Sequence, residues 1–430
     1  MRRIKTHYEF RQAQVFTPPN IVKIFWQILS KHRVCLGSVL DLGAGDGRFA
    51  KGGKFQRYLG IEIDDATPKS NLPVNAKLRY GCAFAIAGRN WDAVIGNPPY
   101  VRHHYIELPW TERIARRFKK SMDVHLNGQA NLFVYFLLLG LELSKKDGVV
   151  AMLTPYEWVS RPSAKPLRDL IERSGWSVSV YRFREEIFDG VMTTASISVI
   201  DKGDSSGQWS FFEVSADGKI HAKRQRSGSK HLVLPYAKRG TSWALRGLSP
   251  GTQKVFTLTE GERIHHGLSV TDVWPCVTSL MPLPADCTAL NVAAFRKYYR
   301  NAGEKCWLIK SSEKSISSEL RQYLDAVPEE ARGTATCLKR ETWFAFKPFP
   351  VSRLLVASGF TEFGPKIVKN IVRAHHVGSV YGTFGPAGSV PQLLTSLKKF
   401  NFERRVVQHS GKLKKIEVRQ LNSVLSDVCA

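Results

Sequence analysis

Acidic residues are scarce in this chain. Asp and Glu number 37 against 63 Lys and Arg, a formal charge of +26 at pH 7. That excess is extreme for an enzyme of small metabolites and ordinary for a protein that holds phosphates. The cations are not gathered into one amphipathic helix, as a membrane-surface anchor would need; they are dense at Arg113 to Lys120, Lys219 to Lys230 and Lys412 to Arg419. Long apolar runs are missing as well. The longest, Leu132 to Leu141, is too short to cross a membrane. The basic start, Met1 to Lys5, lacks the apolar core of a signal peptide, so a cytoplasmic protein without membrane attachment is expected. The seven cysteines form no CxxC and no regular spacing, as suits reduced thiols. Histidines fall in adjacent pairs, His103-His104, His265-His266 and His375-His376, which are poorly placed to chelate one ion, and no metal site is expected. No internal repeat is evident.

The informative stretch is Asn97-Pro98-Pro99-Tyr100. It follows an apolar run, Ala93-Val94-Ile95, that reads as a buried strand broken by Gly96. The tetrad therefore sits at the C-terminal end of a strand, where open α/β sheets hold ligands. Two prolines donate no backbone hydrogen bond and fix their own φ, which leaves the Pro98 carbonyl as a rigid acceptor. Asn97 adds a side-chain acceptor and Tyr100 an aromatic face. Two acceptors beside a flat platform suit a planar amino group such as that of adenine.

Upstream, Ser38 to Leu42 is a strand that runs into Gly43-Ala44-Gly45-Asp46-Gly47. The glycines allow a tight turn close to a ligand, and the spacing is not that of a dinucleotide fingerprint. Asp41 would repel a pyrophosphate but suits a cationic ligand. A second strand, Tyr58 to Asp64, carries Glu62 where Rossmann-like units place an acid on ribose hydroxyls, with Ile63 beside it able to pack on an adenine ring. A weak third strand lies around Lys77 to Cys82. Before all of these, residues 14 to 24 contain Thr17-Pro18-Pro19, with Thr17 able to cap a helix on which Ile21, Ile24, Phe25 and Ile28 have helical spacing.

In this order the motifs resemble the gamma-type N6-adenine DNA methyltransferases. The resemblance rests on Val15 to Pro19, Asp41 to Gly47, Gly60 to Asp64 and Asn97 to Tyr100. It continues through Gln129 to Phe133, Lys146 to Pro155, Leu167 to Ile171, Ile187 to Val191 and Ala195 to Ile200, spanning about residues 10 to 203. It implies an α/β, Rossmann-like S-adenosylmethionine-dependent methyltransferase domain. Thr17, Asp41, Gly43, Gly45, Glu62 and Ile63 would hold S-adenosylmethionine. Asn97, Pro98 and Tyr100 would hold a flipped adenine, with Phe188 on the other face of the base. One departure is plain: Cys82 stands where the family usually has an aspartate near the cofactor's adenine.

Beyond Asp201 the composition changes. The expected division is a catalytic domain over 1–203, a linker over 204–231, and an α+β DNA-recognition domain over 232–430, where Ser410 to Val418 resembles a segment of related recognition domains. Implied partners are double-stranded DNA and a cognate restriction endonuclease, with the chain itself a monomer. The alternative is a methyltransferase with the same tetrad acting on RNA or on a protein glutamine.

Overall fold

The computed structural model describes residues 15–67, 71–86, 88, 90–126, 128–188, 194–215, 217–227, 237, 243–311, 316–361, 364–384, 390–402, 406, 408–410 and 413–429. The chain divides into two compact units, Met1–Val233 with Val407–Gly411, and Leu234–Val406 with Lys412–Ala430.

Among the described residues of the first unit, nine strands form one sheet: β1 (Leu36–Leu42), β2 (Phe55–Glu62), β3 (Ala76–Tyr80), β4 (Trp91–Gly96), β5 (Ser144–Pro155), β6 (Ser177–Phe183), β7 (Ala195–Asp201), β8 (Gln208–Val214) and β9 (Ile220–Ser227). Their order is β3-β2-β1-β4-β5-β7-β6-β8-β9. The first five run parallel, β7 lies antiparallel between β5 and β6, and β8 runs parallel to β6. The order reverses at β1, so the crevice between the C-terminal ends of β1 and β4 is the topological switch point where such sheets bind ligands.

The central strands are buried on both faces, which is why they read as continuous apolar runs rather than alternating ones. One face packs on α1 (Pro19–His32), whose Ile21, Phe25, Ile28 and Leu29 meet Val39, Ala93 and Ile95. The other packs on α2 (Leu108–Met122), α3 (Leu132–Leu143) and α4 (Lys165–Arg173), against Leu40, Leu42 and Val94. Helix α3 is apolar all round and every one of its residues is buried. Its Gly140 lets it lie directly on β5, where an added Cβ would stand 2.9 Å from a Val150 methyl.

Two sequence expectations change here. Residues 204–231 are not simply a linker, because β8 and β9 add two strands to the sheet. The Ser/Gly stretch is a tight return in which Ser177 N donates to Asp204 O and Gly207 N to Gly175 O. Of the basic loop expected over Arg224 to Lys230, residues up to Ser227 lie in β9, and 228–230 fall outside the described residues, as does Leu232. Thr17 does not cap α1 either. Pro18 holds the N-cap position with no side-chain cap, and the Thr17 hydroxyl is used elsewhere.

The second unit is α+β, as expected. Among its described residues a five-stranded sheet is ordered Ala244–Leu245, Val380–Thr383, Leu354–Ala357, Ile367–Asn370, Ala289–Leu290, and a four-stranded one Thr257–Leu258, Trp307–Ile309, Val273–Val277, His375–His376. Leu393, Leu397, Leu421 and Leu425, from helices Val390–Lys399 and Val418–Cys429, join Leu354 and Val356 in one buried cluster. Among the described residues no helix is long and apolar enough to cross a membrane.

Candidate active site

The glycine loop leaves β1 and the tetrad leaves β4, so pairing of these two parallel strands brings them side by side; Asp41 is in register with Ile95. Gly96 makes the approach possible. A Cβ there would stand 2.5 Å from the Leu42 carbonyl oxygen. Gly43, Gly45 and Gly47 all have left-handed backbones, with φ of 75°, 55° and 80°.

Asn97 is the best-determined side chain of the site. Its Nδ2 donates to the Val15 carbonyl and to Thr17 Oγ1, each at 3.1 Å. With the nitrogen end held by two acceptors, Oδ1 is left as the acceptor available to a substrate. Among the described residues no hydrogen bond reaches the Pro98 carbonyl beside it. Thr17 is buried, and its carbonyl in turn accepts from Arg48 at 2.6 Å. Arg48 is gripped by Asp46 through two nitrogens at 2.9 and 2.8 Å and lies over the Phe16 ring at 4.9 Å. Residues 15–17 thus tie the tetrad to the glycine loop. Sequence reasoning missed Phe16, Asp46 and Arg48; the signal was Arg48 following the acid of the loop by two residues.

Glu62 is buried and accepts three backbone N–H groups, from Gly45 at 2.8 Å, Ile63 at 2.8 Å and Asp64 at 2.9 Å. It shapes the glycine loop, and its oxygens retain lone pairs for hydroxyl donors. Ile63 next to it is 69% exposed, an apolar side chain left uncovered just beyond the end of β2. Cys82 is exposed and precedes a 3₁₀ turn carrying Phe84. Phe84 packs edge-on against Phe136 and Trp110 at 5.1 and 4.9 Å, and Phe136 lies under Gly43. This aromatic wall, absent from the sequence reading, borders the loop on its apolar side.

Asp41 does not reach the surface. It is fully buried, Tyr58 donates its hydroxyl to Oδ2, and Oδ1 has no partner. Burial pushes its carboxyl up to about 7, the Tyr58 hydrogen bond opposing that rise and the Glu62 and Asp46 charges adding to it. A bound cation would feel this group through its field rather than by contact.

Tyr100 is half-buried, its hydroxyl is enclosed without a partner, and burial raises its pKa. Phe188 is placed beside it, but edge-on: the rings are 6.4 Å apart at 78°. Phe188 is only 5% exposed and belongs to the apolar layer with Phe183 and Ile197. The pair does not form a parallel slot in this structure; residues 189–193, which complete the loop, lie outside the described residues. A cavity of about 440 Å³ lined by Val15, Phe16, Ile21, Phe183 and Phe188 among others opens nearby, but none of Asn97, Pro98, Tyr100, Gly43, Gly45 or Glu62 lines it. Among the described residues no group of His, Cys, Asp and Glu is placed to hold a metal.

Comparison with known proteins matches the same region. Residues 59–188 fit the Eco57I restriction-modification methylase family. The chain is 22% identical to the Type II methyltransferase M.AccI of Acinetobacter calcoaceticus, over 77% of this chain and 68% of that one. It is 29% identical to the Type II methyltransferase M.XamI of Xanthomonas campestris pv. amaranthicola, over 46% of this chain and 41% of that protein. The chain thus covers about two thirds of the first relative's length and two fifths of the second's. The Type IIL restriction-modification enzyme MmeI, solved in complex with DNA, shares the fold with a TM-score of 0.58 and 13% identity, over 91% of this chain and 61% of that one. The methylase-family match thus lies across β2 to β4, the tetrad and Phe188, and over that region the chain is similar to the restriction-modification methylases.

Proposed function

We propose that this chain is a site-specific DNA methyltransferase that moves a methyl group from S-adenosylmethionine to N6 of adenine in double-stranded DNA, as the modification arm of a restriction-modification system. The observation that carries the reading is the orientation of Asn97. Its amide nitrogen is held by Val15 and Thr17, so its oxygen and the Pro98 carbonyl present two acceptors side by side. A planar amino group with two protons is the matching donor.

The residues around the glycine loop fit the cofactor. The three glycines of the loop present no side chain to block a close approach, Glu62 has acceptor capacity for a ribose, Ile63 and the Phe84–Phe136 wall offer apolar surface to an adenine, and Asp41 supplies negative charge beneath. S-adenosylmethionine held there would supply a methyl group on a cationic sulfur. Asn97 Oδ1 and the Pro98 carbonyl each accept a hydrogen bond from N6, which draws the nitrogen out of conjugation with the ring and localises its lone pair. Positioning and this electrostatic match carry the rate; no histidine base is required. Because N6 is inaccessible inside a duplex, the base must leave the stack, and Tyr100 is the platform that receives it. The charge of +26 and the large second unit favour a nucleic acid over a protein glutamine, and the second unit is assigned to target recognition. The test is to express the chain in cells without adenine methylation and sequence their DNA for N6-methyladenine. Methylation at one short motif is expected; unmodified DNA together with methylated RNA or protein would refute the reading.

A further inference from the structure

The segment that leaves the tetrad leads into α2, whose sequence holds five cations and one acid, Glu112. The protein uses only part of that charge. Thr111, Ile114 and Phe118 bury one side of the helix. Arg117, at the border of that side, is consumed internally: it pairs with Glu142 at 2.8 Å and donates to the Phe84 carbonyl at 2.6 Å. Arg113, Arg116, Lys119 and Lys120 are exposed, and among the described residues no ion pair or side-chain hydrogen bond engages them. Arg113, Arg116 and Lys120 follow i, i+3, i+7 spacing, so they share one face and span roughly 10 Å of helix axis.

Four cations without an ion partner on one helix repel each other; Lys119 and Lys120, in its last turn, gain from the helix dipole, whereas Arg113 and Arg116 have no such offset. They form a multivalent anion site without an internal anion. The helix starts at Leu108, only eight residues beyond Tyr100 in the chain, and packs with α3 on one sheet face. Residue Val101 is anchored on the start of α3, its carbonyl accepting from Leu132 N at 2.9 Å, and His103 N donates to Asn131. The strip is therefore a fixed extension of the catalytic loop, on the unit that carries the chemistry and not on the recognition unit. Duplex DNA offers a row of phosphates with matching charge and repeat.

We propose that the exposed face of α2, Arg113, Arg116 and Lys120 with Lys119 at its edge, is a sequence-independent phosphate clamp that holds the DNA backbone next to the extruded base. This rests on the DNA-methyltransferase reading. Backbone contacts fix register and orientation and read no bases, so the clamp supplies affinity common to all sites and leaves specificity to the other unit.

The test is the salt dependence of binding to a short mixed-sequence duplex, with and without the methylation motif. Each phosphate contact contributes about 0.9 to the slope of log affinity against log salt. The full-length triple variant R113A/R116A/K120A should lose about 2.7 from that slope, equally on both duplexes. The single variants R113A and R116A should lose about 0.9 each, which keeps the test open if the triple variant folds poorly. K23A/K31A/K54A removes three exposed cations on and near α1, across the sheet, and should keep the wild-type slope. An unchanged slope in the α2 variants, or an equal loss in the α1 control, overturns the clamp. A wild type whose duplex binding ignores salt would instead overturn the DNA reading itself.

Discussion

Asp41 ties the stability of the first unit to pH in a way that can be measured. It is fully buried with one oxygen unpartnered, and its pKa rises from an ordinary 3.8 to about 7. A carboxyl whose folded pKa lies above its unfolded value binds its proton more tightly when folded. Its contribution is therefore fully present below the unfolded pKa and is lost as pH rises toward the folded one. Each pK unit is worth about 1.4 kcal/mol, so the whole span costs roughly 4 kcal/mol, of which about 2.5 kcal/mol falls between about pH 5 and pH 8. Asp41→Asn abolishes this titration while keeping a group that Tyr58 can bond. Equilibrium urea unfolding of both proteins at the two pH values is the assay. The stability of the variant relative to wild type should rise by about 2.5 kcal/mol on going to pH 8. Tyr58→Phe should steepen the wild-type loss, because the hydrogen bond it removes favours the carboxylate. The same ionisation bears on the cofactor: a cation above the carboxylate favours its charged form, so S-adenosylmethionine affinity should rise between pH 6 and 8 in wild type and stay flat in Asp41→Asn. Identical pH dependence of stability with and without Asp41 would refute the reasoning.

Three other substitutions separate the roles of the site. Asn97→Ala removes one of two acceptors and should lower methyl transfer at least ~10²-fold, with duplex binding retained; labelled-methyl transfer within tenfold of wild type would sink the mechanism. Glu62→Ala should weaken S-adenosylmethionine binding by calorimetry more than DNA binding, and it should also lower the melting temperature, since three backbone N–H groups, that of Gly45 in the glycine loop and those of Ile63 and Asp64, lose their acceptor. Phe188→Ala should cost about 3–5 kcal/mol of stability, as for a core aromatic, given its burial among Phe183 and Ile197. If the variant melts like wild type but changes the fluorescence of 2-aminopurine placed at the target position, Phe188 acts on the base instead.

The sequence was most legible where chemistry and backbone constraint coincide. Alternating glycines, a terminal acid on β2 and a double proline after β4 each restrict the chain so tightly that their place at the switch point followed from order alone. What escaped it was made by packing between distant segments. Nothing local says that Thr17 binds Asn97 instead of capping α1, because the partner is eighty residues away. The Phe84–Trp110–Phe136 wall joins three elements in the same manner. Strand β8 was legible in principle, since Trp209, Phe211 and Glu213 point to the buried side at period two. The polar turn before it outweighed that signal and made the stretch look like a linker. Phe188 was identified by resemblance, and its burial in the core is a property that resemblance does not convey.

The β3 end of the nine-stranded sheet bears on how the protein must be handled. Outer strands invite neighbouring molecules to add on, main chain to main chain, unless like charges keep them apart. Here β3 carries Lys77 and Arg79, both exposed. That border is thus guarded by charge of one sign, and such a guard works only while it is felt across the gap. At about 1 M salt the screening length shrinks to roughly 3 Å. The brine that strips nucleic acid from so basic a protein during purification is then also the condition that lets two copies of that border join. Light scattering over a salt series should show growth beginning at the high end, and neutral replacements at Lys77 and Arg79 should bring it on at lower salt by removing the repulsion between two copies of β3.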